Sequence, residues 1–295
     1  MNKIAEIYRA GYVGGAVQET LDWIEEKSTD AKRIIVPFTG IGRHIVAVQR
    51  ADTEIYSWDT MAYSRYIVDG VFNAEKAESN VTEIRYRKGW MYEHRTYKNI
   101  DDRCAGFIDW VAQEGTLFDK AALGSAMTRS TLMGRLTHWK SNVEQLYTRF
   151  EKQREYNQDW LNQPGTRLHV EGDFFADLEA LQGGEPCDLA IIDPPKVVNY
   201  SDVYSLHFNH FNQCLTNGQA SRLPKWNRRN AMTYMRDAVT KIPASTMLFF
   251  YVNKVIPTYE DVKRVLGQYV EIEEEQEFYH NGRSDFALLL HKDLP

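Results

Sequence analysis

The sequence predicts a doubly wound α/β protein: a mostly parallel sheet ending in an antiparallel hairpin, with a mainly helical insertion. Three observations carry this. Short, β-branched apolar runs alternate with helix-period segments at the start of the chain, the pattern of a parallel sheet. A polar, aromatic stretch over 79–165 interrupts that alternation and is helical where it is periodic. The chain closes on two strand runs around Asn281-Gly282, a strong short-range hairpin signal. With 295 residues, one large domain, or a core domain carrying an insertion, is the expected size class. Residues 1–78 and 166–295 are therefore expected to form one sheet domain, and 79–165 an inserted region.

The elements follow in order. Residues 18–27 have Leu21 and Ile24 spaced for one helix face. Ile34 to Phe38 read as a strand, Thr39 to Gly42 as a turn, and Arg43 to Gln49 as the start of a helix. A second strand covers 54–58 and ends at Asp59, and a helix is expected over 60–72. After the insertion, which Pro164 and Gly165 close, RLHVEGDFFADLEAL reads as a strand running into a helix at Asp173. Leu189 to Ile192 form a short apolar run stopped by two prolines, the signature of a buried strand. Residues 201–215 read as helix, 246–252 as another buried strand and 257–268 as another helix, before the terminal hairpin.

Composition narrows the function classes. The net charge is −6, which argues against a generally cationic nucleic-acid binder but leaves room for a local basic face. The insertion holds 13 Lys+Arg against 11 Asp+Glu, while the flanks hold 22 against 30. It opens on a cationic, aromatic patch: Arg85, Tyr86, Arg87, Lys88, Trp90, Tyr92, His94, Arg95, Tyr97 and Lys98. No apolar run approaches the ~20 residues of a membrane span, and the N-terminal stretch lacks the apolar core of a signal peptide. Cys104, Cys187 and Cys214 are widely spaced and form no CxxC pair. They are expected to be reduced, in a cytoplasmic protein, with no metal centre.

Four segments suggest chemistry. Asp193-Pro194-Pro195 follows an apolar strand, so its carboxylate sits at the strand's carboxyl end, where open α/β sheets bind ligands. The prolines stiffen that rim and remove two N–H donors. It therefore offers acceptors, the Asp193 carboxylate and the Pro194 carbonyl, which suit an amino group held in the plane of a base. Pro37-Phe38-Thr39-Gly40-Ile41-Gly42 places two glycines at a strand-to-helix turn, where a ligand can approach the backbone. The full GxGxxG fingerprint is absent, because Ile45 stands where its last glycine would be. No GxxxxGK[ST] phosphate loop is present either. Asp59, at the end of the next strand, can accept two hydrogen bonds from a ribose or serve as a helix cap. Asp173-Phe174, at a later strand end, is placed either to flank an adenine ring or to act as a cap with a core phenylalanine.

In this order the segments resemble the Dam-type DNA adenine-N6 methyltransferases. Gly11-Tyr12-Val13-Gly14-Gly15 is similar to the family's N-terminal motif, and Phe38-Thr39-Gly40-Ile41-Gly42 to its FxGxG loop. Asp59 matches its acidic residue after the second strand. Ser130 to Arg135 loosely resembles a stretch within its recognition insertion, and Asp193-Pro194-Pro195 matches its DPP. Tyr200 and Tyr204 resemble the tyrosines that follow, and the hairpin from His280 to Lys292 also fits. Two positions depart from the family: Lys196 stands in place of the motif aromatic, and Ala16 in place of a lysine.

The resemblance implies a class I methyltransferase-like fold, S-adenosylmethionine as cofactor and double-stranded DNA as partner, with 79–165 as the target-recognition region. It implies a cofactor site of Tyr12, Gly14, Gly15, Pro37, Phe38, Thr39, Gly40, Gly42, Asp59, Asp173 and Phe174. It implies a catalytic set of Asp193, Pro194, Pro195, Lys196 and Tyr200 acting on a flipped adenine. Arg85, Arg87, Lys88, Arg95, Arg135 and Arg228 are the candidate DNA contacts. Two alternatives stand beside this reading. One is a non-catalytic DNA-binding or scaffold subunit of the same fold, which Lys196 and Ala16 suggest. The other is methylation of an RNA amino group. Methylation of cytosine carbon is disfavoured, because the strand after the Asp193 motif carries no cysteine nucleophile.

Overall fold

The structure is a computed structural model that describes residues 17–40, 42–98, 100–132, 135–139, 141–174, 177, 186–194, 209–219, 230–252, 257–280 and 283–294. The side chains of 17, 43, 96–98, 128–132, 135–139, 252, 280 and 283 are outside that description. The chain packs as two compact units.

The first unit is built on a seven-stranded sheet and is drawn from within Gly14–Thr60, Pro164–Tyr204 and Leu223–Pro295. Its strands are β1 (Arg33–Val36), β2 (Glu54–Asp59), β5 (Thr166–Glu171), β6 (Cys187–Ile192), β7 (Ala244–Val252), β8 (Glu271–His280) and β9 (Arg283–His291). Their order is β5-β2-β1-β6-β7-β9-β8. The strands from β5 to β7 pair in parallel, and β9 inserts antiparallel between β7 and β8. This is the expected mostly parallel sheet closed by an antiparallel hairpin, a class I methyltransferase-like fold.

Burial explains the central strands. Ile34, Ile35 and Val36 of β1 and Ala190, Ile191 and Ile192 of β6 are all within 1% of full burial. Both faces of such a strand are covered, so the sequence is an unbroken apolar run rather than an alternating one. Each isoleucine or valine among them contributes about 1.5–3 kcal/mol by leaving water. At the amino end of β6, Asp188 Oδ2 accepts from the backbone N–H groups of Lys32 and Arg33, both at 2.8 Å. That contact sets the register of β6 on β1. β1 stops at Val36, two residues short of the expected Phe38, because Pro37 cannot donate to a ladder. The outer strand β8 carries five glutamates, a charge pattern that discourages edge-to-edge pairing.

The helices of this unit are α1 (Val17–Lys27), α2 (Arg43–Val48), α8 (Ala231–Lys241) and α9 (Tyr259–Leu266). α8 was not anticipated from the sequence. Its buried Ala231, Met235, Ala238 and Val239 do follow helical spacing, but alanine is a weak apolar marker. Lys292 holds its C-terminus: Nζ donates to the carbonyls of Val239 (3.0 Å), Thr240 (3.0 Å) and Ile242 (2.5 Å).

The second unit is mainly helical and is drawn from within Met61–Gln163 and Ser205–Arg222. It contains α3 (Ala62–Ile67), α4 (Trp90–Lys98), α5 (Asp102–Glu114), α6 (Leu117–Ser130), α7 (Val143–Gln158) and a helical stretch over 209–215. Where one helix was expected over 60–72, α3 runs into a π-helical turn, Val68–Phe72. There Gly70 lies so close to Leu117 that a Cβ would come within 2.6 Å of its carbonyl carbon. A two-stranded ribbon, β3 (Thr131–Leu132) with β4 (Arg135–Trp139), interrupts the helices antiparallel.

Two buried carboxylates organise this unit. Asp109 accepts from the N–H groups of Met91 (2.8 Å) and Tyr92 (2.7 Å), so a residue of α5 caps the start of α4. Asp119 accepts from Ser79 Oγ (2.5 Å), Asn80 N (3.0 Å) and Thr116 N (3.1 Å), fastening the 79–80 loop to the start of α6. Burial pushes the Asp109 carboxyl above the ordinary carboxylate range. α7 begins with a capping box between Asn142 and Gln145.

Candidate functional site

Three adjacent strands, β2, β1 and β6, end on the same edge of the sheet. Each delivers one of the sequence-identified segments there. β2 ends at Asp59, β1 runs into Pro37 to Gly42, and β6 runs into Asp193 and Pro194. Carboxyl ends of neighbouring parallel strands are where this sheet architecture places ligands.

The loop after β1 is held by its neighbour β2. Thr39 donates twice to the Trp58 carbonyl, from N and from Oγ1, each at 3.0 Å. The Gly40 N–H donates to Asp59 Oδ2 at 2.7 Å. Gly40 (φ 55°) and Gly42 (φ 78°) both adopt left-handed backbone, which L side chains reach only at a cost. A Cβ built on Gly40 would meet nothing within 4 Å. The missing side chain therefore leaves a bare backbone surface beside a carboxylate, which suits a ligand with hydroxyl groups.

An aromatic cluster supports this loop. Phe174 is 2% exposed and meets Trp58 edge-on at 5.7 Å and Phe38 at 6.2 Å. Its ring is thus a core element beneath the loop. Pro37 is buried, and Asp173 is half-buried beyond the end of β5. The Gly172 N–H donates to the Asp59 carbonyl at 2.9 Å, extending the β2–β5 pairing to this edge.

Asp193 is partly exposed, with 20% of its side chain accessible, and Pro194 is buried. A residue that the sequence reading passed over stands behind Asp193. His44, in the first turn of α2, is 2% exposed, and its Nε2 lies 3.7 Å from Asp193 Oδ2. Its ring stacks on Phe250 of β7 at 5.2 Å and 18°. The available signal was a histidine inside RHIVAV, an otherwise apolar short helix immediately after the glycine loop. Its burial and its proximity to Asp193 are not visible in the residue string.

The remaining sequence-identified positions divide into two groups. Tyr12, Gly14, Gly15, Pro195, Lys196, Tyr200, Tyr204 and Arg228 lie outside the described residues, as does the side chain of Arg135 on β4. The basic residues at the start of the helical unit are described, and acids balance several of them. Arg85 pairs with Glu83 at 2.7 Å, Arg87 with Glu114, and Arg95 with Asp102. Tyr92 carries the Arg95 guanidinium 4.0 Å and the Lys88 ammonium 5.2 Å from its ring centroid. Exposed ion pairs of this kind are worth about 0–1 kcal/mol, so each arginine can exchange its carboxylate for another anion.

No family model matches the chain, and no curated protein does. Among solved structures it is similar to the M. jannaschii tRNA m1G37 methyltransferase, at 9% identity and TM-score 0.38, over 96% of this chain and 52% of that one. It is also similar to a SAM dependent methyltransferase from Agrobacterium tumefaciens, at 8% identity and TM-score 0.44, over 95% of this chain and 63% of that one. A third is the magnesium protoporphyrin IX methyltransferase ChlM from Synechocystis PCC 6803, at 10% identity and TM-score 0.40, over 99% and 90%. The chain spans less than two thirds of the length of the first two. The fold is identified by its strand order, not by these likenesses. Among the described residues, no helix is long and apolar enough to cross a membrane.

Proposed function

We propose that this protein is an S-adenosylmethionine-dependent methyltransferase acting on the exocyclic amino group of a nucleobase, with adenine N6 in DNA as the leading substrate. The observation that carries the reading is the alignment of Gly40, Asp59 and Asp193 at the carboxyl ends of three neighbouring strands. The bare backbone at Gly40, with open space where a Cβ would stand, fits close approach of the cofactor. Asp59, already fixed by the Gly40 amide, is the acceptor for the ribose hydroxyls. When bound, S-adenosylmethionine supplies an electrophilic methyl group.

The chain's own residues then have defined tasks. The amino lone pair of adenine is delocalised into the ring and is a poor nucleophile. Asp193 and the Pro194 carbonyl each accept one N–H of that group, which favours a tetrahedral nitrogen. The carboxylate also stabilises the positive charge that grows on nitrogen during attack. This is fixed electrostatics aimed at developing charge, and holding the nitrogen in line with the methyl group supplies much of the remaining rate. Choice of DNA and of adenine is supported by the order of motifs along the chain. The paired arginines 85, 87 and 95 would contact phosphates, which position the polymer without reading its sequence.

The test is transfer of a labelled methyl group to unmethylated duplex DNA, with RNA in parallel and the modified nucleoside identified. N6-methyladenine in DNA is the expected product. A methylated amino group in RNA alone would keep the chemistry and change the polymer. No transfer to either would leave a non-catalytic binding subunit as the better reading.

A further inference from the structure

His44 does not belong to the motifs that suggested the function, yet its imidazole faces Asp193, the proposed amino-group acceptor. The imidazole comes from the first turn of α2 and the carboxylate from the end of β6, so the contact joins two elements that flank the ligand edge. From β6 the group facing the ring is the Asp193 carboxylate, with Nε2 and Oδ2 3.7 Å apart. From β7 it is the ring of Phe250, stacked at 5.2 Å. Only 2% of the His44 side chain is accessible, and the stack restricts how it can turn. A buried, oriented imidazole beside a partly exposed carboxylate has the geometry of a group that aims another. The separation is longer than a hydrogen bond, but such contacts at catalytic carboxylates tighten when substrate is engaged.

We infer that His44 is a positioning residue for Asp193: an Nε2–H directed at Oδ2 holds the carboxylate from the protein side, so that it meets the substrate amino group in one orientation. This deepens, and rests on, the reading of Asp193 as the amino-group acceptor. Pro194 and Pro195 have no N–H to offer the carboxylate, and the first turn of α2 brings the His44 imidazole to it from the protein side. The position is specific, because α2 starts at the glycine loop and so ties the aim of Asp193 to the segment expected to hold the cofactor.

The test has two arms. The first needs no activity: the ring nitrogen signals of His44 are followed by NMR against pH in the wild type and in D193N. The inference expects removal of the carboxylate charge to lower the imidazole midpoint by about one pH unit or more, or to shift the Nε2 resonance where the ring does not titrate. Identical His44 behaviour in both proteins would overturn the pairing. The second arm is kinetic. H44F keeps the stack on Phe250 and removes the donor. It is expected to lower kcat about a hundred-fold, the cost of a misplaced reacting group, while cofactor affinity and KM for the polymer stay within about two-fold. H44Q, which restores a donor, recovers part of kcat. Wild-type kcat in H44F would overturn the inference. Absence of transfer by the wild type would instead remove the proposed function, and the NMR arm would still decide whether the two residues are coupled.

Discussion

The backbone amide of Gly40 donates to the carboxylate of Asp59 across 2.7 Å, joining the loop after β1 to the last residue of β2. One residue thus shapes the loop and presents an acceptor to the ligand edge. Replacing Asp59 by Ala removes a charge-assisted bond worth about 1.5–3 kcal/mol, and with it the proposed ribose acceptor. S-adenosylmethionine affinity, measured by titration calorimetry, should fall at least ten-fold. The drop in thermal midpoint should be modest, because the cores beneath are untouched.

Gly40 and Gly42 should separate strain from ligand approach. Both sit at positive φ, so alanine at either costs about 1–2 kcal/mol of stability. At Gly40 the added methyl also projects into the space left for a ligand. Gly40→Ala should therefore lose cofactor affinity beyond its loss of stability. Urea denaturation and calorimetry on the same protein distinguish the two effects.

Asp193→Ala should abolish methyl transfer while leaving cofactor affinity within about three-fold, since in the proposed mechanism the carboxylate acts on the amino group and on charge formed during attack. Single-turnover transfer and equilibrium cofactor binding are the paired measurements. Activity retained in this variant would remove Asp193 from the mechanism.

Gly124 gives a prediction opposite in sign to helix propensity. It lies within α6, where alanine ordinarily gains about 1 kcal/mol over glycine. Here a Cβ would fall 2.3 Å from Tyr63 Cε2. The Tyr63 ring is buried, and its hydroxyl is engaged with Ser125 Oγ at 2.6 Å. The clash cannot be relieved by a small movement, so Gly124→Ala should destabilise the helical unit by about 1–3 kcal/mol, read by urea unfolding.

Lys292 predicts a pH dependence of stability. Burial brings its pKa from the ordinary 10.5 down to about 8, even though three carbonyls accept from it. Between those pH values the unfolded chain binds a proton that the folded chain has released. This group therefore makes stability rise with pH from about 8 to 10.5, and contributes no slope below that window. Lys292→Met should flatten the rise, measured as unfolding free energy across the same window.

The parallel sheet, its closing hairpin and the segments at the proposed ligand edge are legible in the residue string alone. Each of these is a local signal. Apolar runs such as Leu189 to Ile192 reveal strands buried on both faces, Pro37 and Pro194 punctuate strand ends, and Gly40 and Gly42 mark backbone that other residues avoid. Whatever depends on distant parts of the chain meeting becomes visible in the folded molecule. His44 and Asp193 are far apart in sequence and meet because β6 pairs beside β1, and α2 follows β1. Phe174, legible equally as an adenine neighbour or a core ring, is placed in the core by Trp58 and Phe38. The arginines at 85, 87 and 95 read as a cationic patch, yet Glu83 stands two residues from Arg85, and folding brings Glu114 against Arg87 and Asp102 against Arg95. α8 is not legible in the residue string, because its alanines gain meaning only through what packs on them. Periodicity and punctuation belong to neighbouring residues, whereas burial and charge pairing are set by the whole fold.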